Sequence, residues 1–208
     1  FVILTKYDLA IETYEKGAQL LKDNNVFAYN LGELYRRKGD TQKMVESYLN
    51  ALASNPDRVG TVQTIFQRYF LPEDFDELQT QLYNRIQQNE NALYYVELLT
   101  WVFIQRKDYK NALRQVRALD RRLKENGGRV FQLAEIAAND KDYDTAIEAY
   151  DYVVQKGMES TFYLDAKRES LRTKRSKLVE GYKYTPQELT QLEQEYENFL
   201  NEFGRTRV

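Results

Sequence analysis

Apolar residues recur along this chain at steps of three and four, with polar residues between them. One set of stripes runs through Ala28, Leu31, Gly32 and Tyr35, then Val96, Leu99 and Phe103, then Val130, Leu133, Ala134 and Ala137. Such spacing lines one face of an amphipathic helix. A second set opens on acidic residues, Asp40, Asp74, Asp108 and Asp142, followed directly by Thr41, Phe75, Tyr109 and Tyr143. An Asp at that place can accept from the free N–H groups of a helix start, and its charge suits the positive helix end. Four residues after each Asp comes a small or slim apolar position, Met44, Leu78, Ala112 and Ala146. A larger one follows four further on, at Tyr48, Leu82, Val116 and Tyr150. The pattern predicts pairs of helices, each pair a hairpin.

These pairs repeat. The phrases KYDLAIETYEKGAQ (6–19), KDYKNALRQVRALD (107–120) and KDYDTAIEAYDYVV (141–154) align on Ala10, Ala112 and Ala146, and steps of 34 from Ala10 also reach Met44 and Leu78. Full units are expected at 25–58, 59–92, 93–126 and 127–160, after a partial copy at 1–24 that holds a second helix alone. A lone hairpin of short helices cannot cover its apolar faces. Units must therefore stack, and the small residues Gly32, Ala112, Ala134 and Ala146 let backbones approach.

Past residue 160 the rhythm is expected to fail. Leu164, Leu171 and Leu178 suggest one longer helix ended by Gly181. Thr185, Pro186 and Glu188 then form a capping-box signature. Leu189, Leu192, Tyr196, Phe199, Leu200 and Phe203 make the stripe that follows, and Gly204 supplies the stop. Residues 161–208 are predicted to be a variant hairpin or cap, with Gln187, Gln191, Gln194, Glu195, Asn198 and Glu202 as its polar outer face. At the other end, FVIL (1–4) would be exposed apolar surface, so the chain is expected to be a fragment whose true amino end and any signal lie elsewhere.

In the unit 25–58, Leu31-Gly32, Tyr35, Gly39-Asp40, Tyr48, Ala51 and Pro56 resemble the tetratricopeptide repeat (TPR). Ala28 stands where that family often has Trp, and Met44 where it prefers Ala. In the next two units Ile65-Phe66 and Leu99-Thr100 replace Leu-Gly. The resemblance implies an all-α fold, an α–α superhelix or TPR-like solenoid of antiparallel helix hairpins. It also implies a non-catalytic scaffold whose concave groove, lined by the first helix of each repeat, holds a peptide or partner protein. Carried onto this chain, the groove positions are Tyr29, Glu33 and Arg36; Gln63, Gln67 and Phe70; Tyr94, Glu97, Trp101 and Gln105; and Phe131, Gln132, Glu135 and Asn139. Aromatic anchors among amides suit an apolar or aromatic-bearing peptide, although Trp101 and Phe131 could equally pack between helices. The family's carboxylate clamp is not matched, because Tyr29 and Glu33 stand where it needs Lys and Asn. The alternative function is a rigid spacer or assembly region of a larger bacterial cell-envelope or multi-subunit protein.

Composition narrows the chemistry. The chain of 208 residues has no Cys and no His, which removes Ser-His and Cys-His catalysis and the common zinc ligand sets. No enzyme activity, cofactor or metal is expected. A formal charge of −2 argues against nucleic acid as partner. No apolar run reaches the roughly 20 residues that span a bilayer, and the compartment stays open. The basic run AKRESLRTKRSK reads as a solvated helix face, and PEDFDE (72–77), lacking the Gly and final Glu of a calcium loop, as a helix start.

Overall fold

The computed structural model describes residues 6–181 and 184–204, so the FVIL stretch lies outside the described residues. Among those residues the fold is all-α, without strands. The elements are α1 (Tyr7–Leu21), α2 (Ala28–Lys38), α3 (Thr41–Ser54), α4 (Val59–Tyr69), α5 (Asp74–Gln88), α6 (Leu93–Gln105), α7 (Tyr109–Leu123), α8 (Gly128–Asn139), α9 (Tyr143–Val154), α10 (Tyr163–Gly181) and α11 (Pro186–Phe203). The chain divides into two compact units, 1–102 and 103–208.

In the first unit α2 packs on α1 and α3, and α5 packs on α3. In the second, α8 packs on α7 and α9, α9 on α10, and α10 on α11. These are the neighbour-to-neighbour contacts of a helical repeat. The register residues Ala10, Met44, Leu78, Ala112 and Ala146 are all buried, as are Tyr48, Leu82, Val116 and Tyr150. Large side chains such as Leu49, Leu52, Leu98 and Leu133 fill the interiors. Each of these stabilises its unit by about 1.5–3 kcal/mol relative to exposure.

Helix starts follow the Asp residues at three of four places. Asp40 accepts from the Lys43 N–H at 3.0 Å, Asp108 from Asn111 and Asp142 from Thr145, both at 3.2 Å. Asp74 departs from this pattern. It lies inside α5, and its Oδ2 reaches back to the Leu71 N–H at 2.8 Å, closing the turn that precedes the helix. Pro72 explains the difference, because it disfavours the helical region for Leu71 and so stops α4 early. Phe70 is already extended, with ψ of 139°.

The carboxyl-terminal region keeps the rhythm one helix longer than expected. Helix α10 starts at Tyr163, 35 residues after α8 starts at Gly128, so it takes the first-helix place of a further repeat. What changes is length, 19 residues against the 12 of α8. Helix α11 opens on the full capping box, with Thr185 Oγ1 accepting from the Glu188 N–H and Glu188 accepting from the Thr185 N–H at 2.7 Å. Its expected outer face is corrected at two positions. Glu195 and Glu202 turn toward α10, pairing with Lys174 and Lys167.

Candidate functional site

In the first unit the candidate positions lie on α2, α4 and α6, and a chain of rings connects them. Tyr29 meets Tyr48 edge-on at 5.4 Å, Tyr48 meets Phe66 at 5.7 Å, and Phe66 stacks on Phe70 at 4.4 Å. Phe70 meets Phe75 at 5.4 Å and Phe75 meets Trp101 at 5.8 Å. Tyr48 and Phe66 are fully buried, while Tyr29, Phe70 and Trp101 are half-buried. The three candidate rings are thus the outward members of a packed core, with one edge fixed and one edge accessible. Tyr94 packs on Tyr95 at 4.4 Å, and burial raises its phenol to about 12.

The polar candidates on α2 form a network. Arg36 donates to both carboxylate oxygens of Glu33, at 2.8 and 2.7 Å, and Arg37 donates to Glu33 at 2.8 Å. The Arg36 hydrogen bond is the chief reason that the Glu33 carboxyl falls to about 2. Arg36 also lies 3.9 Å over the ring of Tyr69, an exposed residue at the end of α4. Beside this pair is a cavity of about 260 Å³ lined by Arg36, Asp40, Met44, Tyr69, Phe70 and Asp74. Gln63 is half-buried and Gln67 exposed on the same helix as Tyr69.

Tyr69 is a candidate that the period misses. The period pairs Arg36 with Phe70. Because α4 ends early, Phe70 lies with one edge on Phe66 and Phe75, and Tyr69 becomes the ring that faces Arg36. Arg58 is a second addition, with its guanidinium 5.3 Å from the Tyr29 ring. Pro72, two residues past Phe70, was the signal for the first; nothing in the helix pattern marks the second.

In the second unit α8 carries Phe131, Gln132, Glu135 and Asn139. Phe131 is buried, stacked on Phe162 at 5.0 Å and edge-on to Tyr150 at 5.6 Å, so this ring packs between helices. Gln132, Glu135 and Asn139 are exposed. Gln105, also exposed, ends α6.

Residues 28–59, which hold α2 and α3, match the tetratricopeptide repeat family model. The chain fits a TPR-like repeat protein. No curated protein matches it. TPR families generally mediate protein interactions and are generally non-catalytic.

Two other features of this TPR-like chain bear on chemistry. Most of the basic run on α10 is paired, including Arg168 with Asp165 at 2.9 Å, Arg172 with Glu169 at 3.0 Å, and Lys177 with Asp144. Asp120 on α7 is fully buried and was not singled out by spacing. It accepts from the Gly127 N–H at 2.5 Å and from Tyr152 Oη at 2.8 Å, and it pairs with Lys156 at 2.8 Å. Burial opposes its ionisation, but these three partners outweigh it and hold its carboxyl below the usual range. The cluster ties the turn before α8 to α9. Among the described residues no group of three or more acidic side chains could hold a metal, and no helix is long and apolar enough to cross a membrane.

Proposed function

We propose that the chain is a protein-interaction scaffold that holds a peptide segment of a partner against the first helices of its repeats. The observation that supports this reading most is the accessible pair of Arg36 and Tyr69 beside its cavity. A guanidinium stacked 3.9 Å over a ring presents a flat amphipathic surface, and such residues dominate binding energy where they stay rigid. Tyr29, Phe70 and Trp101 are rigid for a different reason, since their inner edges belong to the buried ring chain. Their outer edges can cover an apolar or aromatic side chain at low entropy cost. Glu33 adds specificity by fixing Arg36 and Arg37, leaving Gln63 and Gln67 to meet a peptide backbone. In the second unit, taken by itself, Gln132, Glu135 and Asn139 on α8, with Phe131 as support, offer a candidate surface of their own.

Affinity capture with the full chain, run beside a Tyr69→Ala variant of equal melting temperature, tests this. A specific partner should be captured by the wild type and weakened by about 1 kcal/mol or more in the variant. Capture of the same proteins at the same strength by both chains would remove the Arg36–Tyr69 surface from the site.

A further inference from the structure

Helices α10 and α11 carry opposite charge. Residues 163–181 hold Lys167, Arg168, Arg172, Lys174, Arg175 and Lys177 against three acids, while 184–204 hold Glu188, Glu193, Glu195, Glu197 and Glu202 with no lysine or arginine. The antiparallel seam between them follows this charge. Lys167 pairs with Glu202, Tyr163 Oη donates to Glu202 at 2.7 Å, and one turn pair further along Lys174 meets Glu195 at 2.6 Å. Both cations and both acids repeat at a step of seven, so each helix offers one matching row.

The apolar part of the seam is thin. Phe199 is the single buried residue of α11, and Leu189 of its stripe is exposed. Two cavities of about 270 and 260 Å³ run along the seam, both bordered by Lys174 and Glu195. The other face of α10 is well packed on α9, with Ala166, Ser170 and Thr173 buried and Ser170 Oγ donating to Asp151 at 2.9 Å. Helix α10 is therefore an integral part of its unit, and α11 is held to it by the buried Phe199, by the Tyr163–Phe203 ring contact at 6.1 Å and by two partly exposed ion pairs, the last of which contribute little to stability.

We propose that the face of α10 carrying Tyr163, Lys167, Leu171, Lys174 and Leu178 is a docking surface for an acidic amphipathic helix of another protein, with α11 as the intramolecular helix that this partner displaces. The charge rows define the ligand: two glutamates seven apart, and between them an aromatic residue at the place of Phe199. The surface is separate from the first-helix positions of the other repeats, so either reading can fail without the other.

The probe is a fluorescent peptide of residues 184–204 added to the full chain. Glu195→Lys with Glu202→Lys should repel α11 from α10, and the peptide should bind this variant about tenfold tighter than wild type. Adding Lys174→Glu should abolish that binding, and 0.5 M salt should weaken it. Equal affinity for both chains, or binding indifferent to Lys174→Glu, overturns the proposal. If the double variant does not fold, hydrogen exchange on the wild type decides: α11 amides should exchange faster than those of α9 and α10, and faster again at high salt. Equal protection of the three helices overturns it. So does a wild-type dimer at low salt that Glu195→Lys dissolves, because the occupant is then a second copy of this chain.

Discussion

In the hairpin α2–α3 the helices close over Gly32, where an added Cβ would lie 3.0 Å from the ring of Tyr48. One period later, in α4–α5, the same position is Phe66, and these two helices do not pack closely; α5 leans on α3 instead. The closed pair α8–α9 has Ala134 at this position, against Ala146 and Ala149, all fully buried. A single register position thus separates two ways of filling a hairpin. A small residue lets backbones meet, whereas a ring holds them apart and recruits further rings, in this case Phe70 and Phe75, to fill the space. The open hairpin is also the one beside the Arg36–Tyr69 cavity. Loss of the close contact and gain of an accessible cleft therefore have the same origin.

The largest expected effect comes from removing that ring. Phe66→Ala should cost about 3–5 kcal/mol in urea unfolding, the usual range for a fully buried Phe. A loss below about 1 kcal/mol would mean that α4 and α5 collapse onto each other, so that Phe66 is a wedge that stores strain. The ring chain would then not be the core of this hairpin.

Asp120 supplies the next test, in the second unit. Its register counterparts are Ala18, Leu52, Ile86 and Val154, so a carboxylate stands where every other repeat is apolar. Asp120→Asn should cost about 3 kcal/mol, because it removes the charge that faces Lys156 while keeping the volume. The sign with pH follows from its lowered carboxyl. Its stabilisation is fully present above the ordinary 3.8 and is lost as pH falls below that value through the folded pKa. The wild type should therefore lose more stability than Asp120→Asn below pH 4. Parallel acid curves for the two chains would show that the three hydrogen bonds carry no charge-dependent energy.

Gly32→Ala sharpens the comparison at lower cost. Alanine favours a helix over glycine by about 1 kcal/mol, yet its Cβ would press on a fully buried Tyr48 ring. Overpacking of this kind costs about 1–3 kcal/mol, so a net loss of about 1 kcal/mol is expected. A gain in stability would show that Tyr48 can withdraw and that close approach is not what Gly32 provides.

Much of this fold was legible because its cause is periodic. Small or slim apolar residues every 34 positions imply stacked hairpins, and each of those residues is buried. Thr185 and Glu188 announced their capping box by local spacing alone. What was illegible depends on events outside the period. Pro72 ends α4 before Phe70, which lays one edge of Phe70 on Phe66 and Phe75 and puts Tyr69 opposite Arg36. Asp120 finds Gly127, Tyr152 and Lys156, which no helical spacing connects to it. Phe131 shares its register with Tyr29, but Phe162 stacks on the one, whereas the ring of the other meets the edge of Tyr48 and the Arg58 guanidinium. A groove position therefore tells which residue faces outward from its own helix, and the next helix decides whether it stays accessible.

The smallest effects concern the turns, and here the closed and open hairpins should respond with opposite sign. Gly39, Lys107 and Lys141, at one register position of the repeat, are all left-handed, with φ of 77°, 58° and 67°. Around each the same bond closes the helix end: Asp40, Asp108 and Asp142 donate their N–H to the carbonyls of Tyr35, Phe103 and Ala137. In the open hairpin the equivalent residue is Glu73, with φ of −68°, and the left-handed turn is missing. Lysine in the left-handed region carries a steric cost of about 1–2 kcal/mol that glycine escapes, less the extra unfolded-state entropy of glycine. The Lys141–Glu180 pair lost with the side chain is exposed, at 66% and 46%, and holds little. Lys141→Gly should therefore stabilise by about 0.5 kcal/mol, whereas Glu73→Gly, where no left-handed residue is needed, should destabilise by about 0.5–1 kcal/mol. A rise in both urea midpoints would mean that the turn at residues 70–73 visits the left-handed form, as the turns of the other hairpins do.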